Sequence, residues 1–271
     1  MKLRALVSAI ALSALSPLAS AAIVASDDFN YAQGELPNTQ APGSGWAGAW
    51  TAATAITQVV DPAVDLSGAN ALSITGNATT VAQRTLSSAF SGNELFVSFL
   101  FQLDAGTLTN NDFLALWFNS STGPNIGIKA DQATTTETND VFVRTNGTAG
   151  SYAPGSNIGD TNDVTHQIVG RLSRSAPANY SKFDLWLDPI FDDLGTPDAS
   201  FSGTAGISSV TSVGIRTANL ADTDTLLIDN LILAENWNDV VAAPNAVPEP
   251  GSLALAGLAL LGLGLARRRR S

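Results

Sequence analysis

Between residues 23 and 239, apolar and polar positions alternate in short runs broken by Gly, Asn, Thr and Pro, with no helical spacing held for more than about ten residues. The pattern is that of strands. Residues 71–75 and 79–86 read as two strands joined by a hairpin turn at Gly76-Asn77. Residues 94–103 (ELFVSFLFQL) form the most apolar run, followed by 112–119 (DFLALWFN), 125–130, 141–145, 166–173, 182–188, 210–217 and 226–235. So many short strands with turn residues between them predict an all-β fold, an antiparallel β-sandwich or jelly roll. Residues 145–165 and 188–206 are rich in Gly, Pro, Asp and Asn and read as long loops, where function tends to reside.

The two ends break this pattern. Lys2 and Arg4 precede an apolar stretch over residues 5–15, then Ser16-Pro17 and the small-residue run Ala19-Ser20-Ala21-Ala22. That order predicts a secretory signal peptide over residues 1–22, removed by signal peptidase. At the other end, residues 240–246 are small and Pro-containing and read as a linker. Pro248-Glu249-Pro250 cannot enter a helix or a central strand. Residues 252–266 are then apolar or small, and Arg267, Arg268, Arg269 and Arg270 close the run. An apolar run stopped by a basic block predicts a transmembrane helix with its arginines in the cytoplasm. It is short for a hydrocarbon core of about 30 Å, which suits a temporary hold. With the N-terminus exported and the arginines retained, the body is expected on the outer side of the inner membrane.

Val247-Pro248-Glu249-Pro250, the Leu/Ala/Gly run and the arginine cluster together resemble a PEP-CTERM sorting signal. The resemblance implies processing by a membrane-embedded exosortase in a Gram-negative bacterium that makes extracellular polysaccharide. It further implies an inner-membrane-anchored precursor that becomes a cell-surface or extracellular-matrix protein. Asp27-Asp28-Phe29, the stretch 183–189 (FDLWLDP), the stretch 227–233 (LIDNLIL) and the stretch 236–240 (NWNDV) resemble the LamG or concanavalin A-like jelly rolls often joined to such signals. That likeness implies that the first and last strands pair, that the last carries an Asp near its middle, and that the fold is carbohydrate-associated; it implies no catalytic activity.

Charge and cysteine content narrow the function further. The chain has a net charge of −11 with thirteen basic and twenty-four acidic residues. Setting aside Lys2, Arg4, the four terminal arginines and Glu249 leaves seven basic and twenty-three acidic residues in the body, a net charge near −16. An acidic body of this kind argues against nucleic acid and anionic lipid as partners. There are no cysteines, which removes thiol nucleophiles and Cys-ligated metals. The body is nonetheless long enough to bury a core without staples.

The candidate chemistry is sparse. Asp184, Trp186 and Asp188 share one face of a strand, the nearest approach to the paired carboxylates of a glycosidase, but no glutamate accompanies them. A solvent-facing strand edge with a rim Trp is the expected reading, and no residue is assigned as catalytic. His166, the only histidine, alternates with apolar residues and lacks a Gly-x-Ser-x-Gly partner. Gly43-Ser44-Gly45 lacks the Lys-Ser/Thr of a phosphate loop. Asp27, Asp28, Asp192, Asp193, Asp222, Asp224 and Asp229 supply hard oxygens, so Ca²⁺ is the one cofactor in view, with no ligand set chosen. Trp46 and Trp50, in a Gly-rich stretch, and Trp186 are the candidates for stacking on sugar rings, while Trp117 is expected in the core. The expected function is a non-catalytic structural or adhesive protein of an exopolysaccharide layer; a calcium-assisted carbohydrate-binding module is the alternative, and a glycoside hydrolase or lyase the third.

Overall fold

The computed structural model describes residues 23–36, 43–132, 139–191 and 193–241. The expected signal peptide, Pro248-Glu249-Pro250, the expected transmembrane helix and Arg267 to Arg270 lie outside the described residues. Among the described residues no helix is long and apolar enough to cross a membrane. In chain order the strands are β1 (Ile23–Asp27), β2 (Gly34–Glu35), β3 (Thr51–Ala52), β4 (Thr57–Val60), β5 (Ala71–Ile74), β6 (Ala82–Phe90), β7 (Glu94–Ala105) and β8 (Phe113–Phe118). They continue as β9 (Asn125–Lys129), β10 (Val141–Arg144), β11 (Gly150–Tyr152), β12 (Thr165–Ser173), β13 (Lys182–Leu187), β14 (Ala199–Ser202), β15 (Val210–Ala218) and β16 (Thr225–Ala234), before the single-turn helix α1 (Trp237–Val240).

These strands form an all-β antiparallel sandwich, consistent with a jelly roll. One sheet runs β14-β13-β12-β7-β16-β5-β4-β2, with β1 also paired to β16; the other runs β11-β10-β9-β8-β15-β6-β3. Period-two patterning sorts the side chains. Leu95, Val97, Phe99, Phe101 and Leu103 of β7 and Leu114, Leu116 and Phe118 of β8 point into one shared core. Their alternates build two smaller outer clusters: Phe96 with Trp186, Trp237 and Val240 on the first sheet, and Phe113 with Ala115 and Phe142 on the second.

The Gly76-Asn77 hairpin does not form. β5 pairs with β4 and β16, whereas β6 pairs with β3 and β15, so the chain crosses between sheets at this point. Asn77 explains the crossing. Its Nδ2 donates to Leu220 O at 2.9 Å and its Oδ1 accepts from Leu220 N at 2.9 Å, tying the segment to the connection between β15 and β16 rather than to a turn of its own.

The two long loops each contain a short strand, β11 and β14. Val240 and Val241, the first two residues of the expected linker, are buried in a cluster with Trp237 and Phe96. The Gly43-Ser44-Gly45 run is a backbone device. Both glycines take positive φ, and a Cβ on either would strike the β1 carbonyls of Ser26 or Val24, so only glycine lets Ser44 pair with Ser26.

Candidate functional site

β1 pairs antiparallel with the second half of β16, from Ile23 opposite Ala234 to Asp27 opposite Leu231. β5 pairs with the first half, from Leu226 to Ile228. Asp229 and Asn230 therefore stand where β16 changes neighbour. On the opposite side the β7 register slips between Asp229 and Ile232, and Asn230 adopts φ +48°, a conformation Asn tolerates better than most residues. This irregularity builds the site.

Asp27, at the end of β1, is fully enclosed. Its carboxylate accepts from Phe29 N (2.9 Å), Tyr31 Oη (2.7 Å) and Trp50 Nε1 (2.7 Å), and it pairs with the Arg84 guanidinium from β6. Arg84 also donates to Gly48 O at 2.7 Å and lies 4.9 Å from the Trp46 ring centroid. Burial pushes the Asp27 carboxyl up, against the pull of the indole, the phenol, the Phe29 amide and the guanidinium. Tyr31 is pushed up as well, by burial and by the neighbouring carboxylate.

Asp229 is 1% exposed and has a different environment. Its Oδ1 accepts from Asn230 N at 2.6 Å, while Oδ2 is buried without a hydrogen-bond partner. Burial pushes its pKa to about 7; the Asn230 and Ser67 amides oppose the rise, and the Asp28 and Asp27 charges add to it. A cavity of about 440 Å³, whose lining includes Asn230 but not Asp229, is bounded by Ser26, Asp27, Asp28 and Asn30 and by the apolar Ile23 and Ile232. Ser26, Asp28, Asn30 and Asn230 offer oxygens of the kind a hard cation such as Ca²⁺ takes, while the Asp27 carboxylate is already engaged by Phe29, Tyr31, Trp50 and Arg84. Among the described residues, however, no three His, Cys, Asp or Glu side chains are grouped to hold a metal. Of the seven aspartates singled out, only Asp27, Asp28 and Asp229 come together. Asp224 closes its own turn by accepting from Ala221 N at 2.8 Å, Asp193 and Asp222 stand exposed elsewhere, and Asp192 lies outside the described residues.

Of the three tryptophans expected to stack on sugar rings, two are buried. Trp50 is 1% exposed, with its indole spent on Asp27, and Trp186 is 4% exposed, packed edge-on against Trp237 at 5.1 Å. Trp46 is half-buried, donates to Ser26 O at 2.8 Å and packs between Arg84 and Trp50. A Gly-rich stretch carries the composition of an exposed loop, but the Asp27–Arg84 pair draws this one inward. Trp117 is buried as expected, but by alternation with Leu116 and Phe118 it faces outward from the second sheet.

Nor is the Asp184 face an open strand edge. β13 lies inside the sheet between β12 and β14, and the Asp184 carboxylate is fully covered. Desolvation would raise its pKa, but Lys182, Ser200 and Arg171 outweigh it and hold the group below the usual carboxylate range. Such a carboxylate is unsuited to donate a proton near neutrality. Replacing it by Asn, which loses charge-assisted bonds to Arg171 and Lys182, is expected to cost about 1.5–3 kcal/mol, measurable by urea denaturation at pH 7. Asp188 serves locally, accepting from Gln167 N and contacting His166 Nδ1, both at 2.7 Å.

No curated protein is similar to this chain in sequence. Among solved structures it is similar to the globular domain of Trypanosoma cruzi calreticulin, at 11% identity over 81% of this chain and 90% of that one, with a TM-score of 0.43. A glycosyl hydrolase family protein from Mycobacterium fortuitum gives 14% identity, 78% and 99% coverage and a TM-score of 0.44. The CBM22-1 xylan-binding domain from Paenibacillus barcinonensis gives 13% identity, 82% and 97% coverage and a TM-score of 0.36. One family model matches, over residues 246–270, and by it the chain carries a PEP-CTERM protein-sorting motif.

Proposed function

We propose that the chain is an exported, non-catalytic β-sandwich protein that an exosortase processes at or near Pro248-Glu249-Pro250 and releases to the cell surface or extracellular matrix, where it serves a structural or adhesive role. The observation that carries this reading is the sorting motif at residues 246–270. The engagement of Asp184 with Arg171 and Lys182 supports a role without catalysis. Intact mass and cell fraction, compared between a Gram-negative host with an exosortase and the same host without it, test the proposal. Tail loss only in the first host is expected, and the Pro248→Ala, Pro250→Ala double variant should remain uncut and membrane-held. An unchanged product in all three cases would refute it.

A second reading, calcium-assisted carbohydrate binding, is favoured by the buried Asp229 Oδ2, which has no hydrogen-bond partner, and by the Asp28 and Asp27 charges close enough to act on that carboxyl. Affinity electrophoresis with and without a chelator tests it: retardation by a polysaccharide that the chelator abolishes supports this reading, and retardation indifferent to the chelator removes calcium from it.

A further inference from the structure

Three of the seven basic residues of this acidic body meet on the outer face of the second sheet. Lys129 comes from β9, Arg144 from β10 and Arg216 from β15. Strand order places them together around Phe113 of β8, whose cross-strand partners are Lys129 on one side and Ala218 on the other. The guanidinium of Arg144 lies 4.5 Å from the Phe142 centroid and 5.8 Å from that of Phe113; that of Arg216 lies 5.4 Å from Phe113. The two rings stack at 5.4 Å, and Phe142 leans on Tyr152 at 6.0 Å. Each guanidinium thus rests on a fixed aromatic floor. Arg144 is held further by donating to Tyr152 Oη at 3.2 Å and Gly147 O at 3.3 Å.

Their charge is unspent. Among the described residues no ion pair involves Lys129, Arg144 or Arg216, although Arg84, Arg171 and Lys182 are all paired with carboxylates. The side chains of Lys129 and Arg216 also donate no hydrogen bond to the described residues. The three cations line a cavity of about 440 Å³ together with Asn111, Asn219 and Thr148, all three exposed. This size is within the range of small-molecule sites.

We propose that this cavity binds carboxylate-bearing sugars, the uronic-acid units of an acidic polysaccharide. Two guanidinium groups on a rigid floor match the planar carboxylate, Lys129 adds a point charge, and the amides and hydroxyl at the rim match ring hydroxyls. A protein partner is disfavoured because the rings are closed. Phe142 is fully buried and Phe113 is 8% exposed, so no apolar pocket is offered to an anchoring side chain. The proposal gives the extracellular reading a ligand class and rests on that reading only for the protein's meeting such a polymer. The sorting assay and the binding assay fail independently.

The test uses mature protein purified from the exporting host, run by affinity electrophoresis in gels containing polygalacturonate, dextran sulfate or neutral dextran. Polygalacturonate should retard it, less so as salt is raised, and neutral dextran should not. The Arg144→Gln, Arg216→Gln variant should bind at least tenfold more weakly, and the Arg144→Lys, Arg216→Lys variant should fall between. A readout without substitution is protection: galacturonate should shield Arg144 and Arg216 of the wild type from phenylglyoxal, read by peptide mass. Equal retardation by dextran sulfate would replace the carboxylate by anionic sugars generally and overturn the uronate assignment. No retardation and no protection would overturn the site. Self-association that the same variants abolish would assign the cations to an acidic patch on a second copy, which also overturns it.

Discussion

Replacing Arg84 by Met is expected to destabilise the body by about 3–5 kcal/mol, because it leaves the Asp27 carboxylate buried without its counter-charge. Both side chains of the pair are fully enclosed, so water cannot substitute for the lost guanidinium. The effect should extend past one ion pair. Arg84 holds the Gly48 carbonyl and supports the Trp46 ring, and Asp27 anchors Tyr31 and Trp50, so residues 43–50 lose their floor. Urea denaturation measures the loss, and near-ultraviolet circular dichroism should report the altered Trp46 and Trp50 environment. The Arg84→Met, Asp27→Leu double variant should be less destabilised than the sum of the two single variants, since it removes both charges together. A single-variant loss below about 1 kcal/mol would show the pair to be replaceable by solvent.

The second large effect lies at Asp229. Its folded-state pKa of about 7 stands above the ordinary Asp value near 3.8, so the folded chain holds a proton that the unfolded chain has released. In the absence of divalent cations the stability from this group is fully present below about pH 4, declines as pH rises and is gone above about pH 7. A shift of about three units corresponds to about 4 kcal/mol across that window. Asp229→Asn keeps the shape and abolishes the ionisation. Thermal melts in chelator should therefore show a flattened profile between pH 4 and 8 and a variant more stable than wild type at pH 8. If a cation seats against Oδ2, millimolar CaCl₂ should raise the wild-type melting temperature at pH 8 and leave the variant unmoved. A wild-type profile flat between pH 4 and 8 in chelator would contradict the placement of this carboxyl.

The apolar strands could be read from the chain because each carries its own signal. Residues 94–103 and 112–119 announce β7 and β8 by run and alternation, and the Asp in the middle of the last strand and the pairing of first and last strands follow the jelly-roll resemblance. β2, β3 and β11 have two or three residues each and no apolar alternation, since partners rather than their own side chains make them strands. The same reason hid the chemistry. Nothing near Arg84 in AQRTLSSAF shows that this residue turns inward to a carboxylate fifty-seven positions away. Lys129, Arg144 and Arg216 are scattered over three strands, and only the order β10-β9-β8-β15 gathers them. Trp50 and Trp186 are buried despite Gly-rich or polar neighbours, because exposure belongs to the finished packing and such a neighbourhood is only local composition.

The position of β16 determines how the body bears a load. It runs between β7 on one side and β5 and β1 on the other, and the chain that leaves its end packs Trp237 against Phe96 and Trp186 before reaching Val241. Any tether attached beyond Val241 must first peel away that small aromatic latch. It then pulls along a strand whose ladders stand perpendicular to the pull, so many hydrogen bonds are strained in shear together rather than opened one after another. A pull applied at Val241 is thus resisted by both ladders of β16 at once.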